Sequence, residues 1–357
     1  MNKKVNVAVV HTNLKIGGAE KSSLLLYNLL SEFYNVTLIV IDNKVELDID
    51  TSVNLVHLKG HNNFLLNKFY KFFSLHNILR EREIDVVLDS RTKFSLVKET
   101  MYSIVYSGFK VVYLIRSSNI DHYLGKNSFL FRLIFKNVKH YVCVSADIVY
   151  DVKKRMRTKN VSSINNYFQK NTSPKETPNI KEDYILFFGR IDNESKDLHF
   201  LVSSYAESIL PSKNIKLIIL GDGPDQKAII SQVNELNLND KIIFKNSVVN
   251  PEEYITKSLF TVITSKYEGF PRAVLESLSL GIPVVATYFK SGLDELVQHE
   301  YNGLIAQKNK EQFSLGLNRM ITDENLYKHC KNNAVKSVLH FNKASIGKQW
   351  EKLIQNL

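Results

Sequence analysis

Cysteine is scarce in this chain: Cys143 and Cys330 are the only two in 357 residues. They lie far apart, in no metal-like or redox spacing. That excludes a disulfide framework and points to a reducing, cytoplasmic compartment. Glycine and proline are also few, at 14 and 7. With no low-complexity tract and no short-period repeat, the composition is that of an ordinary globular protein. A run of about 18 apolar residues is missing throughout, so no membrane-spanning helix is expected. The opening MNKKVNVAVVHTN carries two lysines but too short an apolar run for a signal peptide. It reads as a first strand. That strand is not followed by G-x-G-x-x-G, which disfavours a dinucleotide-dependent oxidoreductase.

What is present suffices for two buried cores: the length suits two domains, and 44% of residues are hydrophobic. Short apolar runs alternate with longer mixed stretches. VNVAVVH (5–11), NVTLIVID (35–42), IDVVLDS (84–90), KVVYLIRS (110–117) and HYVCVS (140–145) are strand candidates. Between the first two, Leu24, Leu25, Tyr27, Leu29 and Leu30 fit one helix face. Residues 169–183, QKNTSPKETPNIKED, are polar, hold two prolines and lack periodicity, so they read as a linker. The pattern restarts with YILFFGR (184–190), IKLIILGDG (215–223), KIIFKN (241–246), LFTVITS (259–265) and IPVVATY (282–288). Strands alternating with helices imply an α/β protein with parallel sheets covered on both faces. The expected domains are 1–168, 184–338 and a C-terminal helix, 339–357, packing back on the first domain.

The strongest chemical signal is SKYEGFPRAVLESLSLGIPVVAT, 265–287. Glu268 and Glu276 are eight positions apart, about two and a quarter helical turns. Gly269, Phe270 and Pro271 separate the first Glu from a helical pattern starting at Arg272, and proline suits a first turn. Amides of a loop at a helix N-terminus attract an anion or a polar sugar edge. Carboxylates are good acceptors for a pair of hydroxyls. Arg190 directly follows an apolar strand, where an unpaired cation is costly to bury, so it should have a ligand or a partner.

This stretch resembles the E-x7-E signature of glycosyltransferase family 4, retaining enzymes of the GT-B fold. The likeness runs on through Gly281, Pro283 and Ala286-Thr287. It also takes in GGAE (17–20), CVSADI (143–148), INN (164–166), FFGRIDNESKDLHFLV (187–202) and ILGDGP (219–224). Singly these motifs are weak; together and in order they are specific. The resemblance implies two Rossmann-like domains facing each other across a cleft, the first binding acceptor and the second nucleotide sugar. It implies that Glu268 binds donor-sugar hydroxyls and Glu276 the ribose. Arg190 and Lys196 would neutralise the leaving diphosphate, approached from the first domain by Gly17 and Gly18. Gly221, Gly269, Phe270, Pro271 and Gly292 would complete the donor site. Fixed cations and amides stabilise charge developing on such a leaving group, so no metal or other cofactor is expected.

Three departures from the family pattern stand out. Lys196 lies six positions after Arg190, where five is commoner. The family's Gly-Gly pair is Ser291-Gly292. The family histidine beyond the fourth strand has two candidates here, His122 and Arg116. The implied activity is transfer of a hexose, from a UDP-linked donor, to a saccharide or lipid-linked acceptor in bacterial surface polysaccharide or lipopolysaccharide synthesis. A nucleotide-sugar epimerase and a non-catalytic sugar-nucleotide-binding protein are the alternatives.

Charge distribution bears on partners. Residues 61–160 hold 18 Lys plus Arg against 8 Asp plus Glu, nearly all of the net +11. Segments 62–82 and 128–139 interleave Phe64, Phe69, Tyr70, Phe72, Phe73, Phe129, Phe131 and Phe135 with lysine and arginine. One reading is amphipathic helices with apolar faces in the core and lysines in water. The other is peripheral attachment to an anionic membrane, on the inner face of the cell membrane. Nucleic acid is not expected, since no binding motif accompanies the charge.

Overall fold

The computed structural model describes residues 4–14, 18–42, 44–46, 49–58, 64–93, 95–126, 128–170 and 179–357. The chain divides into two compact units, residues 1–166 with 343–357, and residues 167–342. Most of the proline-containing part of the expected linker, 171–178, lies outside the described residues.

Unit 1 is built on β1 (Asn6–His11), β2 (Asn35–Val40), β3 (Leu55–His57), β4 (Val86–Asp89), β5 (Lys110–Ile115), β6 (His140–Cys143) and β7 (Val161–Ser163). All pairs are parallel, in the order β3-β2-β1-β4-β5-β6-β7. The helix Lys343–Gln355 belongs to this unit. Its Gly347 lets it approach the helix Gly18–Leu30, where an added Cβ would meet Leu29 at 3.3 Å. Lys343 pairs with Glu32 beside that contact.

Unit 2 repeats the plan. Its strands are β8 (Tyr184–Phe188), β9 (Lys216–Leu220), β10 (Ile242–Lys245), β11 (Thr261–Ile263), β12 (Val284–Thr287) and β13 (Gly303–Ala306). They are again parallel, ordered β10-β9-β8-β11-β12-β13. Alternation along the strands fills two cores. Ile185 and Phe187 of β8 join Leu217 and Ile219 of β9 on one face. Tyr184 and Leu186 join Ile218 and Leu220 on the other. A strand apolar on both faces needs cover on both, which is why the runs are continuous rather than alternating in polarity.

Each sheet is therefore Rossmann-like, with its first strand central and the order reversing between β1 and β4, and between β8 and β11. Ligands of open parallel sheets bind outside the carboxyl ends of the strands at such switch points. In unit 2 those ends are Phe188 and Ile263.

Candidate functional site

The loops leaving β8 and β11 are tied to each other. Lys266 N–H donates to the Ser195 carbonyl at 2.8 Å, and the Thr264 hydroxyl to the Lys196 carbonyl at 2.9 Å. The first loop contains a short helix, Asn193–Lys196, capped by the Asp192 side chain. That turn accommodates the six-position step from Arg190 to Lys196. At its end the Lys196 ammonium pairs with Glu268 Oε1, and the Ser265 hydroxyl donates to the same oxygen at 2.7 Å. Both side chains are largely enclosed, 22% and 15% exposed. Arg190 is 66% exposed, with one distant contact, Nε to Asp192 Oδ2 at 3.9 Å. The burial expected from its place after an apolar strand is absent. β8 ends at Phe188, and Gly189, at φ +142°, turns the chain outward.

Gly269, Phe270 and Pro271 are buried. Phe270 packs edge-on against Phe341 at 5.3 Å, which anchors the loop from below. Above it lies the turn Ser291-Gly292, both at positive φ, +92° and +75°. A Cβ on Gly292 would meet the Phe270 Cα at 3.0 Å, and the buried Ser291 hydroxyl donates to the Gly269 carbonyl at 2.8 Å. The helix Arg272–Ser279 follows Pro271 directly. Val274, Leu275 and Leu278 form its buried face. Arg272 and Glu276, one turn apart on the other side, pair at 2.9 Å.

Gly221 has a packing role. It sits at φ +152°, and a Cβ there would overlap the Gly189 carbonyl oxygen. Its neighbour Asp222 acts as a turn residue, accepting the Ser247 N–H at 2.8 Å.

In unit 1, Gly17 lies outside the described residues. Gly18 is exposed, begins its helix, and has open space around it. The switch point holds a buried charge network that sequence reasoning missed. Arg91 pairs with Asp89 at 2.8 Å and Glu99 at 3.0 Å, and Lys93 stands 3.7 Å from Asp89. All four side chains are nearly inaccessible. Burial works against the Asp89 charge, but Arg91 and Lys93 outweigh it and hold its carboxyl below the usual range. Burial pulls the Lys93 ammonium down despite Asp89. The visible signal was DSRTK closing an apolar strand, three charges without obvious solvent.

Arg116 leaves β5 beside this network, its Nε donating to Ser90 Oγ at 2.8 Å. Burial, and then the Arg116 charge, push the His11 imidazole down to about 4, so it is neutral at pH 7. His122, on the short helix Asp121–Leu124, lies 3.4 Å from the Asn119 amide and gives its carbonyl to Lys93 N–H at 2.6 Å. Of the two candidates for the family histidine, Arg116 meets the β4 exit through its side chain and His122 through its backbone carbonyl. The sequence signals at 190, 196, 268 and 276 thus all lie in unit 2, where 196 and 268 meet, and those at 18, 116 and 122 lie in unit 1.

Comparisons with known proteins bear on these units. A family model described as glycosyl transferases group 1 matches residues 168–337. The chain is 33% identical over 170 residues to N-acetylgalactosamine-N,N′-diacetylbacillosaminyl-diphospho-undecaprenol 4-α-N-acetylgalactosaminyltransferase of Campylobacter jejuni. That match takes in 47% of this chain and 46% of the relative, less than half the length of either. It is 24% identical over 368 residues to a second transferase of that organism, GalNAc-α-(1→4)-GalNAc-α-(1→3)-diNAcBac-PP-undecaprenol α-1,4-N-acetyl-D-galactosaminyltransferase, covering 98% of both chains. Among solved structures, Anabaena HepE in complex with UDP-glucose superposes with a TM-score of 0.81. At 17% identity over 99% of this chain and 100% of that one, this shows the shared GT-B fold.

Proposed function

We propose that the chain, whose residues 168–337 match the group 1 glycosyl transferases, moves a hexose from a UDP-sugar to a lipid-linked or saccharide acceptor, with retention at the anomeric carbon. One observation carries the donor-site reading: Lys196 and Glu268 meet at the carboxyl edge of β8 and β11, the switch point of the group 1 unit. In this reading the diphosphate takes Lys196, and Glu268, released from that pair, accepts hydroxyls of the sugar. Arg190, exposed at the rim, adds a second cation. Two cations at a leaving diphosphate, Lys196 held and Arg190 free to close on it, make a divalent metal unnecessary. The named activities of the two Campylobacter relatives favour an undecaprenyl-diphosphate-linked saccharide as acceptor, in surface glycan synthesis.

The test is a panel of UDP-sugars, including UDP-N-acetylgalactosamine, with undecaprenyl-diphosphate-linked saccharides as acceptors. UDP should be released only when an acceptor is present, and the product should keep the donor's α configuration by NMR. Acceptor-independent isomerisation of the UDP-sugar, or a β-linked product, would sink the reading. Arg190→Ala and Lys196→Ala should each weaken UDP binding, while EDTA leaves turnover unchanged. Full loss in EDTA, restored by a divalent ion, would show that the cations do not suffice.

A membrane-facing role for unit 1 rests on a second observation. The helices Phe64–Glu81, Leu96–Val105 and Ser128–Ile134 lie side by side, joined by Phe72 on Tyr102 at 4.8 Å and by Ser103 Oγ donating to the Ile134 carbonyl at 2.9 Å. They expose Phe73, Val97, Ile104, Phe129 and Leu133. Exposed apolar side chains among lysines suit the interface of an anionic membrane, where a lipid-linked acceptor resides.

A further inference from the structure

Arg272 breaks two rules of helix stability at once. It is a cation in the first turn of Arg272–Ser279, where the positive end of the helix dipole disfavours it, and no acidic residue stands there to compensate. Its ion pair with Glu276 runs basic-to-acidic from i to i+4, the weaker orientation for a helix. The guanidinium is also unsatisfied: Nη1 is buried and has no hydrogen-bond partner. A pair that adds little to its helix and leaves a buried donor unused is not explained by folding. Local rules are broken in this way chiefly where a ligand must be met.

We propose that Arg272 is a positioning residue for ribose recognition, holding the Glu276 carboxylate in the orientation that accepts the two vicinal hydroxyls of the nucleotide. The inference rests on the assignment of Glu276 to the ribose. Nη2 takes Oε1 at 2.9 Å, which removes the rotational freedom of a side chain only 22% exposed. A carboxylate has about four acceptor sites on two oxygens, so this bond leaves room for a diol. Pro271 fixes the start of the helix and Phe270 anchors the preceding loop, so Arg272 is itself held in place. A lysine would keep the charge but not the planar fork that aligns with a carboxylate.

The probes are UDP and 2′,3′-dideoxyuridine diphosphate, titrated calorimetrically into the native chain and into Arg272→Gln, Arg272→Lys and Glu276→Gln. The native chain should prefer UDP by at least about tenfold, the scale of hydroxyls donated to a charged acceptor. Glu276→Gln should erase most of that ratio. Arg272→Gln should reduce it nearly as far, and Arg272→Lys part of the way. A merely structural Arg272 would weaken both ligands equally and leave the ratio intact. If the ratio collapses in Glu276→Gln but stays native in both Arg272 variants, the positioning role is overturned and the ribose assignment stands. If Glu276→Gln itself keeps the native ratio, the assignment of Glu276 has failed, and the inference with it. Should Arg272→Gln not fold, Arg272→Lys alone decides: a native ratio refutes the proposal and a reduced one supports it.

Discussion

The carboxylate of Glu268 meets Lys196 and Ser265, and that of Glu276 meets Arg272. Neither signature glutamate waits as a bare charge, so removing one leaves a cation unpaired as well as a ligand contact unmade. Glu268→Ala and Glu276→Ala should each lower turnover by about a hundredfold or more, the scale of losing one preorganised electrostatic contact. Their melting temperatures should stay within a few degrees of native, because both sites are partly open to water. Near-native turnover in either variant would displace the donor site from this loop. His11 offers a separate check. Its imidazole titrates near 4 when folded, against 6.5 as a free side chain, through burial first and the Arg116 charge second. The unfolded chain therefore binds more protons between those values, and stability should fall as pH drops from 6.5 towards 4. The loss is at most about 3 kcal/mol by linkage. Denaturant melts across that range should show a smaller slope in His11→Gln than in native protein. An identical slope would mean that other groups carry the acid sensitivity.

Elements differed in how openly the sequence declared them. Among the described residues, ten of the thirteen strands were signalled by apolar runs, and the structure trims each by a residue or more. β3, β7 and β13 were not, because an edge strand three or four residues long needs no sustained apolar run: VSS of β7 is polar, and β3 is LVH. The loop 268–271 and its helix were legible because glycine, proline and a Glu pair at fixed spacing mark a turn that opens a helix. The network of Asp89, Arg91, Lys93 and Glu99 was not, since pairing of four charges between the end of a strand, its exit and a helix is a tertiary fact. Gly221 shows that a motif residue can also serve packing. Expected at the donor, it permits the β9 exit to lie on the Gly189 carbonyl. Gly221→Ala should destabilise unit 2 by more than about 2 kcal/mol, from a steric clash and an unfavourable positive φ together. A melting transition unchanged by that substitution would show that the loop has room to move and that the contact is dispensable.

Across the whole molecule the excess positive charge lies in residues 61–160, within unit 1. The structure divides the aromatic residues of that segment between two tasks. Phe131 and Phe135 are 3% exposed and pack edge-on to each other at 5.2 Å, so they belong to the core. Phe129, Leu133 and Phe73 are 61%, 54% and 69% exposed. The side chains of Phe64, Lys68 and Phe69 lie outside the described residues, and Lys71 is engaged with Asp42 at 2.6 Å. The informative cations are instead Lys126 and Lys136, exposed on either side of the helix Ser128–Ile134. A lysine near an anionic surface contributes about 1 kcal/mol, fading over a Debye length of roughly 10 Å at 0.1 M salt. An inserted phenylalanine adds a term that salt does not screen. Native protein should therefore sediment with phosphatidylglycerol vesicles but not with phosphatidylcholine vesicles, and added salt should weaken the binding without abolishing it. Lys126→Glu/Lys136→Glu should lose the salt-sensitive part, and Phe129→Ala/Leu133→Ala the part that persists at high salt. If native protein stays in the supernatant with anionic vesicles at low salt, the lysines merely solvate unit 1, and the acceptor must reach the enzyme through water.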